Sequence, residues 1–226
     1  MRLTCPAPRG AETARRREAP RAVLPRADVA ADVATNVALA ATPDIRRLGA
    51  ADAPALEAHL LRLAGHDRRM RFCGDLGDAA VRRHCALIDW PRTEILGAHV
   101  GGELRAVVEL FVHPFPHTHE ADLALSVERA FQGLGLGSAL LRKALMLARN
   151  RCVGSVHMAC MVGNRRMQKL AAKFGATLSL GDGEVEGRIR APWPTYLTLV
   201  EEAALESRSR LRAVFRPGPP PVGAAD

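Results

Sequence analysis

Three glycines stand at alternate positions in Gln132-Gly133-Leu134-Gly135-Leu136-Gly137. The residues that follow are apolar at three- and four-residue spacing, which predicts a helix beginning at the end of this turn. The first N–H groups of a helix have no partner within it, and the helix dipole places partial positive charge beside them. Glycines let a bulky anion approach the backbone closely. The turn therefore predicts a site for a phosphate-bearing ligand.

The spacing of the glycines restricts which ligand this could be. The turn has no Gly-Lys-Ser/Thr, so it is not the P-loop of nucleoside triphosphatases. Its pattern is GxGxG rather than GxGxxG, and it lies past the middle of the chain, which argues against a dinucleotide site. A turn with a purely structural role is the alternative.

Starting from Gln132, the pattern Q-x-x-G-x-G resembles the coenzyme A pyrophosphate loop of the GNAT (Gcn5-related) N-acyltransferases. The stretch from Asn164 to Ala176, with Met167, Leu170 and Lys173 at matching positions, resembles the second motif of that family. Segments 67–72 and 88–92 resemble the GNAT domain of bacterial protein lysine acetyltransferases of the Pat type. Together these resemblances cover about residues 43–200.

The resemblance implies acetyl-CoA as co-substrate, a primary amine (protein lysine or small amine) as acceptor, and no metal. Asn164 would contact the pantetheine arm, although it could equally be a helix N-cap. The backbone near Leu125 and Val127 would pair with the pantetheine amides. The pyrophosphate would be held by the turn itself, which comprises Gln132, Gly133, Leu134, Gly135, Leu136, Gly137 and Ser138.

An amine acceptor needs a group that removes its proton, because a lysine-like amine with a pKa near ~10.4 is almost entirely protonated at neutral pH. A carboxylate on the strand entering the turn could do this. Asp122 stands ten positions before Gln132 and follows an alanine, as the acidic residue does in the Pat-type domain, and is our candidate for the base. Glu109 and Glu128 are reserves. A surface carboxylate without a catalytic role is the alternative for Asp122.

The pattern also departs from the family. Many members carry a tyrosine after the leucine of the second motif, whereas this chain has Ala171 there, so no general acid is assigned. The rival interpretation is therefore a non-catalytic acyl-CoA-binding or sensing module.

The elements that would position these residues follow from periodicity. Alternation predicts strands at 44–48, 94–100, 104–112, 121–128 and 155–159, with Gly101-Gly102 as a hairpin turn. Helices are predicted after Asp52, over 66–72 and 78–88, after the glycine turn, and over 164–173. The last two strands are expected at 176–180 and 196–200. This order gives an α/β (α+β) GNAT fold with a mixed, mostly antiparallel sheet of 6–7 strands flanked by helices.

Composition sets the boundaries. Residues 1–42 and 204–226 contribute +3 and +2 of the net charge of +8 and are poor in large apolar groups, which predicts disordered extensions around a domain at 43–203. The charges of the core are nearly balanced, which disfavours nucleic-acid binding, and no apolar run is long enough for a membrane span.

Five cysteines without a CxxC pair indicate a reducing, cytoplasmic location. His113, His117 and His119 do not have zinc-site spacing. A monomer or a homodimer is expected.

Overall fold

The structure, a computed structural model, describes residues 43–114, 119–181 and 183–214, without the side chains of 211–214. The strands are β1 (Asp44–Leu48), β2 (Thr93–Val100), β3 (Glu103–Val112), β4 (Glu120–Val127), β5 (Ser155–Met161), β6 (Thr177–Leu180) and β7 (Glu184–Arg190). The helices are α1 (Ala53–Arg62), α2 (Gly65–Phe72), α3 (Asp78–Ala86), α4 (Leu136–Asn150), α5 (Arg165–Lys173) and α6 (Tyr196–Val214).

One seven-stranded sheet runs through the molecule in the order β1-β2-β3-β4-β5-β7-β6. All neighbouring strands are antiparallel except β4 and β5, which are parallel. The predicted fold, a mixed and mostly antiparallel sheet flanked by helices, is confirmed.

Successive residues of β3 pack into different hydrophobic clusters, because the side chains of a strand point alternately to the two faces of its sheet. Val108 joins Leu140, Leu141 and other residues of α4 in one cluster of buried side chains. Val107 joins a second cluster with leucines of α1 and Val81 of α3. The sheet is therefore covered on both faces, by α4 on one side and by α1 and α3 on the other.

The hairpin between β2 and β3 has the turn that its sequence predicts. Gly101 and Gly102 both have positive φ, 61° and 83°. In a two-residue hairpin loop, a turn with positive φ matches the twist of the flanking strands. Such a turn favours glycine at both positions.

The C-terminal third differs from expectation. Residues 196–200, predicted as the last strand, form the first part of α6, because the Glu- and Ala-rich stretch after them continues the helix. The last strand in sequence is instead β7, where Val185, Gly187 and Ile189 are buried at alternate positions. That alternation was present in the sequence and was missed.

Helix α6 also moves a boundary. It runs to Val214, with Leu205 only 4% exposed, so the first part of the segment expected to be a disordered tail, from residue 204, is helical in the structure.

Residues 1–42, 215–226 and His117 lie outside the described residues. Asp52 precedes α1 as predicted but makes no capping bond to it, and its carboxylate instead accepts from Arg46 and from the Gly49 N–H. No helix among the described residues is long and apolar enough to cross a membrane.

Candidate functional site

The glycine turn has the backbone conformation that an anion site requires. Gly133 and Gly135 have φ of 81° and 86°, a region that side-chain-bearing residues rarely adopt, and Gly135 is the N-cap of α4. Gly135 has no side chain, so the N-cap residue itself makes no capping bond to this helix end. Gly137, in the first turn of α4, packs near Leu125, and a Cβ on it would lie 3.4 Å from Leu125 Cδ2.

The turn opens into a cleft of about 830 Å³, the first cleft. Most of the residues predicted to hold the coenzyme line it: Leu125, Val127, Gln132, Gly133, Gly135, Gly137, Ser138 and Asn164. Leu134 and Leu136 do not line it. Leu134 is 47% exposed, and the side chain of Leu136 is buried in the core, so these two could contribute only backbone groups.

Beside the turn, β4 has an open edge. Its pairing with β5 covers Glu120–Asp122, whereas its pairing with β3 continues to Val127. Among the described residues, no strand pairs with the β5-facing edge of β4 from Leu123 onward. Peptide groups left open at a strand edge can bind an extended, amide-bearing chain in the manner of an added strand.

Gln132 ties the start of the turn to the end of β4 and to two helices. Its Nε2 donates to the Val127 carbonyl at 2.9 Å and lies 3.3 Å from Asp67 Oδ1, and its Oε1 accepts from Arg166. Its amide is thus engaged by protein groups, which makes Gln132 a positioning residue for the turn.

Basic side chains surround the first cleft. Arg71 and Arg129 are two of them. Helix α5 contributes four more: Arg165, Arg166, Lys169 and Lys173. Lys173 Nζ lies 3.4 Å from Ser138 Oγ, beside the start of α4. Asp67 is the one acid among the described residues lining this cleft. Such a lining favours a polyanionic ligand.

Asn164 is the N-cap of α5. Its Oδ1 accepts from the Met167 N–H at 3.1 Å. The residue also lines the first cleft, so the capping role and a ligand-binding role are compatible: Oδ1 serves the helix and the Nδ2 donor is a separate atom.

A second cleft, of about 1140 Å³, lies on the other side of the point where β4 and β5 separate. Within β4, residues 122–124 line the second cleft and residues 125–127 line the first. Arg71 lines both. The two clefts therefore meet at the open edge of β4, which allows two ligands to approach the same stretch of strand.

Asp122, the predicted base, lies in the second cleft. Its side chain is 62% exposed, and its Oδ2 is 2.9 Å from His113 Nε2. It is thus accessible to a ligand in that cleft and is held by one imidazole.

Glu109, the first reserve, is buried in an ion pair. Its carboxylate accepts from Arg71 Nη2 at 2.6 Å and lies 3.1 Å from His84 Nε2. Burial by itself raises the pKa of Glu109, but the charges and hydrogen bonds of Arg71 and His84 outweigh it and lower the pKa to about 2. A carboxylate with so low a pKa is a weak proton acceptor, so Glu109 fits a structural role.

Glu128, the second reserve, lines neither cleft. It accepts from Arg62 and Arg105, both at 2.9 Å, and lies 3.1 Å from Nδ1 of the fully buried His59. Burial raises the pKa of Glu128, but the hydrogen bonds from His59 and Arg105 outweigh it, and the pKa is lowered. Nε2 of His59 in turn lies 2.9 Å from Ser126 Oγ. This network ties α1 to the sheet.

Sequence reasoning did not find two residues where the clefts meet, Arg71 and His84. An ionised carboxylate only accepts hydrogen bonds, so Nε2 of His84 is the donor to Glu109. The side chain of His84 is 32% exposed and lines the second cleft. His84 lies in no motif, and the resemblance of segment 67–72 gives Arg71 no role, because their shared partner Glu109 lies 25 and 38 positions away in sequence.

Other predicted features lie away from the clefts. Tyr196, the chain's only tyrosine, is 79% exposed on α6 and lines neither cleft. Ala171 is buried in the core. Among the described residues, no group of three or more His, Cys, Asp or Glu side chains could hold a metal ion. The four described cysteines are free.

Comparison with known proteins gives the family. Residues 66–176 match the model of the acetyltransferase (GNAT) family. The GNAT domain of Streptomyces lividans PAT is 26% identical, with a TM-score of 0.58 over 66% of this chain and 91% of that one. A comparison with curated proteins gave no match.

Two further solved structures share the fold at lower identity. PaiA N-acetyltransferase from Thermoplasma acidophilum, in complex with coenzyme A, is 16% identical (TM-score 0.53; 66% of this chain, 99% of that one). YncA from Salmonella typhimurium, with its cofactor acetyl-CoA, is 13% identical (TM-score 0.52; 69% and 97%). With the family match, the glycine turn and the open edge of β4 identify the protein as an acyltransferase in which residues 66–176 form a domain of the GNAT family.

Proposed function

We propose that the protein is an N-acetyltransferase that transfers an acetyl group from acetyl-CoA to a primary amine. The observation that carries the proposal is the meeting of two clefts at the open edge of β4. One cleft is basic and contains the glycine turn, and the other contains Asp122. A two-substrate transfer needs both ligands at one point, and proximity of this kind accounts for a large part of enzymatic rate enhancement.

The first cleft is proposed to bind the coenzyme. The N–H groups at the start of α4 would donate to the pyrophosphate, and the backbone of Leu125 and Val127 would pair with the pantetheine amides. Lys173 and the arginines of α5 supply charge for the phosphates. Structures of the same fold with coenzyme A and acetyl-CoA support this assignment.

The second cleft is proposed to bind the acceptor amine. Asp122, directly or through an ordered water, would take the proton from the ammonium group, which leaves the nitrogen lone pair free to attack the thioester carbonyl. The carbon–nitrogen bond forms as the carbon–sulfur bond breaks, and the second proton that the nitrogen loses passes to solvent or to the departing thiolate. Because a thiol has a pKa near ~8.5, the thiolate can leave without a general acid. The resemblance to Pat-type domains favours a protein lysine as acceptor over a small amine.

The melting temperature with and without acetyl-CoA tests coenzyme binding. A ligand that binds only the folded protein must raise it, by mass action. We expect a rise in the wild type and none in Gly135→Glu, whose side chain would bring a negative charge and a strained φ to the phosphate site. Leu134→Glu is the matched control: it adds the same charge one residue earlier, on an exposed side chain that does not line the cleft, and should keep most of the rise.

Acetyl transfer to a lysine peptide, followed by mass spectrometry, separates the enzyme from a non-catalytic acyl-CoA-binding module. The proposal expects turnover with peptide or with a panel of small amines. A coenzyme-dependent thermal shift without turnover on any of them would favour the binding module. No thermal shift at saturating acetyl-CoA would contradict both.

A further inference from the structure

Asp122 is largely exposed, so its orientation depends on what holds it. Its side chain is 62% exposed, and among the described residues only His113 forms a hydrogen bond or an ion pair with its carboxylate. A surface side chain without such a contact exchanges among several rotamers. A general base has to lie within hydrogen-bond reach of the proton that it takes. The contact with His113 therefore bears on the proposed reaction.

The register of the sheet places His113 beside Asp122. Strands β3 and β4 pair Phe111 with Asp122, and just beyond β3 the His113 N–H donates to the Glu120 carbonyl at 3.1 Å. His113 and Asp122 are therefore diagonal neighbours on one face of the sheet, within reach of each other's side chains. Nε2 of His113 lies 2.9 Å from Asp122 Oδ2.

The imidazole ring of His113 is itself held in place. It packs edge-on against Phe111, with the ring centroids 5.2 Å apart and the ring planes at 88°. Aromatic rings attract each other in this arrangement. Phe111 lies in the sheet opposite Asp122 and lines the second cleft. With the backbone bond to Glu120, this packing fixes the ring as a donor beside the carboxylate.

The contact leaves one oxygen of Asp122 for the reaction. An ionised carboxylate only accepts hydrogen bonds, so Nε2 of His113 is the donor and Oδ2 is the acceptor. Oδ1 has no hydrogen-bond partner in the part of the chain that the structure describes, and Asp122 lines the second cleft. Oδ1 is thus the oxygen that can take the proton of the ammonium group while Oδ2 stays bonded to His113.

We propose that His113 is a positioning residue for the base: its Nε2–H holds the carboxylate of Asp122 in the orientation in which Oδ1 meets the acceptor amine. The inference rests on the proposed function, because it assigns a role within that reaction. The two side chains are 35% and 62% exposed, and ion pairs so exposed contribute little to stability. The role of His113 should therefore affect turnover rather than the melting temperature of the free protein.

Steady-state kinetics of two variants test the proposal. His113→Leu removes the donor and should lower kcat roughly 10-fold or more, the equivalent of one hydrogen bond to a charged group. His113→Gln should recover most of the wild-type kcat, because the amide nitrogen of glutamine is a donor as many bonds from the backbone as Nε2 of histidine. The KM for acetyl-CoA should not change in either variant, since His113 does not line the first cleft.

A double variant shows whether His113 acts through Asp122. In the Asp122→Asn background, His113→Leu should lower kcat no further, because the carboxylate that the histidine positions is already gone. His99→Leu is the control. It removes a histidine of the same sheet, on β2, that lines neither cleft, and it should leave kcat unchanged. Melting temperatures check that all variants fold.

The outcomes separate this inference from the proposed function. If Asp122→Asn lowers kcat and His113→Leu does not, the role of His113 is wrong and the base stands. His113→Gln as slow as His113→Leu, or an equal further loss in the Asp122→Asn background, would also overturn the role of His113 alone. An Asp122→Asn variant with full kcat, or a wild type without turnover, would remove the proposed base and this inference together.

Discussion

The two clefts that meet at β4 are built by different means. The first depends on backbone: glycines with positive φ, the N–H groups at a helix start and a strand edge that no described strand pairs with. The second depends on side chains that come from several helices and strands, such as His84, Glu109 and Asp122. Backbone demands leave a local signature, because only a few residue types tolerate them, whereas in the second cleft only Asp122 was marked by its position in the sequence and the roles of Glu109 and His84 were not.

The first prediction concerns Asp122, where we expect the largest effect. Asp122→Asn should lower kcat by ~10²–10⁴, the usual contribution of a positioned base, and leave the acetyl-CoA-dependent rise in melting temperature unchanged. Steady-state kinetics and thermal shifts on the same preparation measure both.

Glu120→Gln is the control for that experiment. Glu120 lines the same cleft on the same strand but is engaged by His157 and Arg188, at 3.4 Å and 3.6 Å. Its replacement should change kcat only slightly. An equal loss in both variants would mean that the negative charge of the cleft matters rather than a base at position 122.

The second prediction concerns stability at the meeting point of the clefts. Glu109→Gln should lower the free energy of unfolding by about 3–5 kcal/mol, because Arg71 would lose its buried partner. Urea unfolding measures the loss. Asp75→Asn, which breaks the exposed pair of Asp75 with Arg69, should cost no more than ~1 kcal/mol.

The pH dependence of stability follows from the same carboxylate. Its pKa is lowered from 4.5 to about 2 in the folded protein, so its contribution is complete above pH 4.5 and is lost as the pH falls toward 2. The wild type should therefore lose stability through this window more steeply than Glu109→Gln. Parallel curves for the two proteins would contradict the assignment.

The third prediction is the smallest. Lys173→Ala should raise the dissociation constant for acetyl-CoA several-fold, roughly 3–10, and reduce its dependence on salt, because a partly solvated charge contributes modestly and is screened. Isothermal titration at two salt concentrations measures it. Lys143→Ala, on α4 and paired with Glu201 at 3.6 Å outside the cleft, should change neither value.

Much of the fold followed from local pattern. The hairpin at Gly101-Gly102 and the helix after the glycine turn were predictable, because turn chemistry and apolar periodicity act over a few residues. The prediction was wrong for 196–200, where alternate leucines also fit the first turns of a helix whose apolar side faces outward. That inversion depends on Asn150 and Arg151, which lie about 50 positions earlier.

The sequence by itself determined the glycine turn, its helix and the strand before it, because glycine at a positive φ and periodic apolar residues are local requirements. It also limited the candidate bases to a few carboxylates. Only the tertiary structure separated them, since the difference lies in their neighbours: Glu109 and Glu128 are neutralised by arginines and histidines from other elements, whereas Asp122 faces an open cleft. The proton affinity and accessibility of a carboxylate depend on which distant groups folding brings beside it.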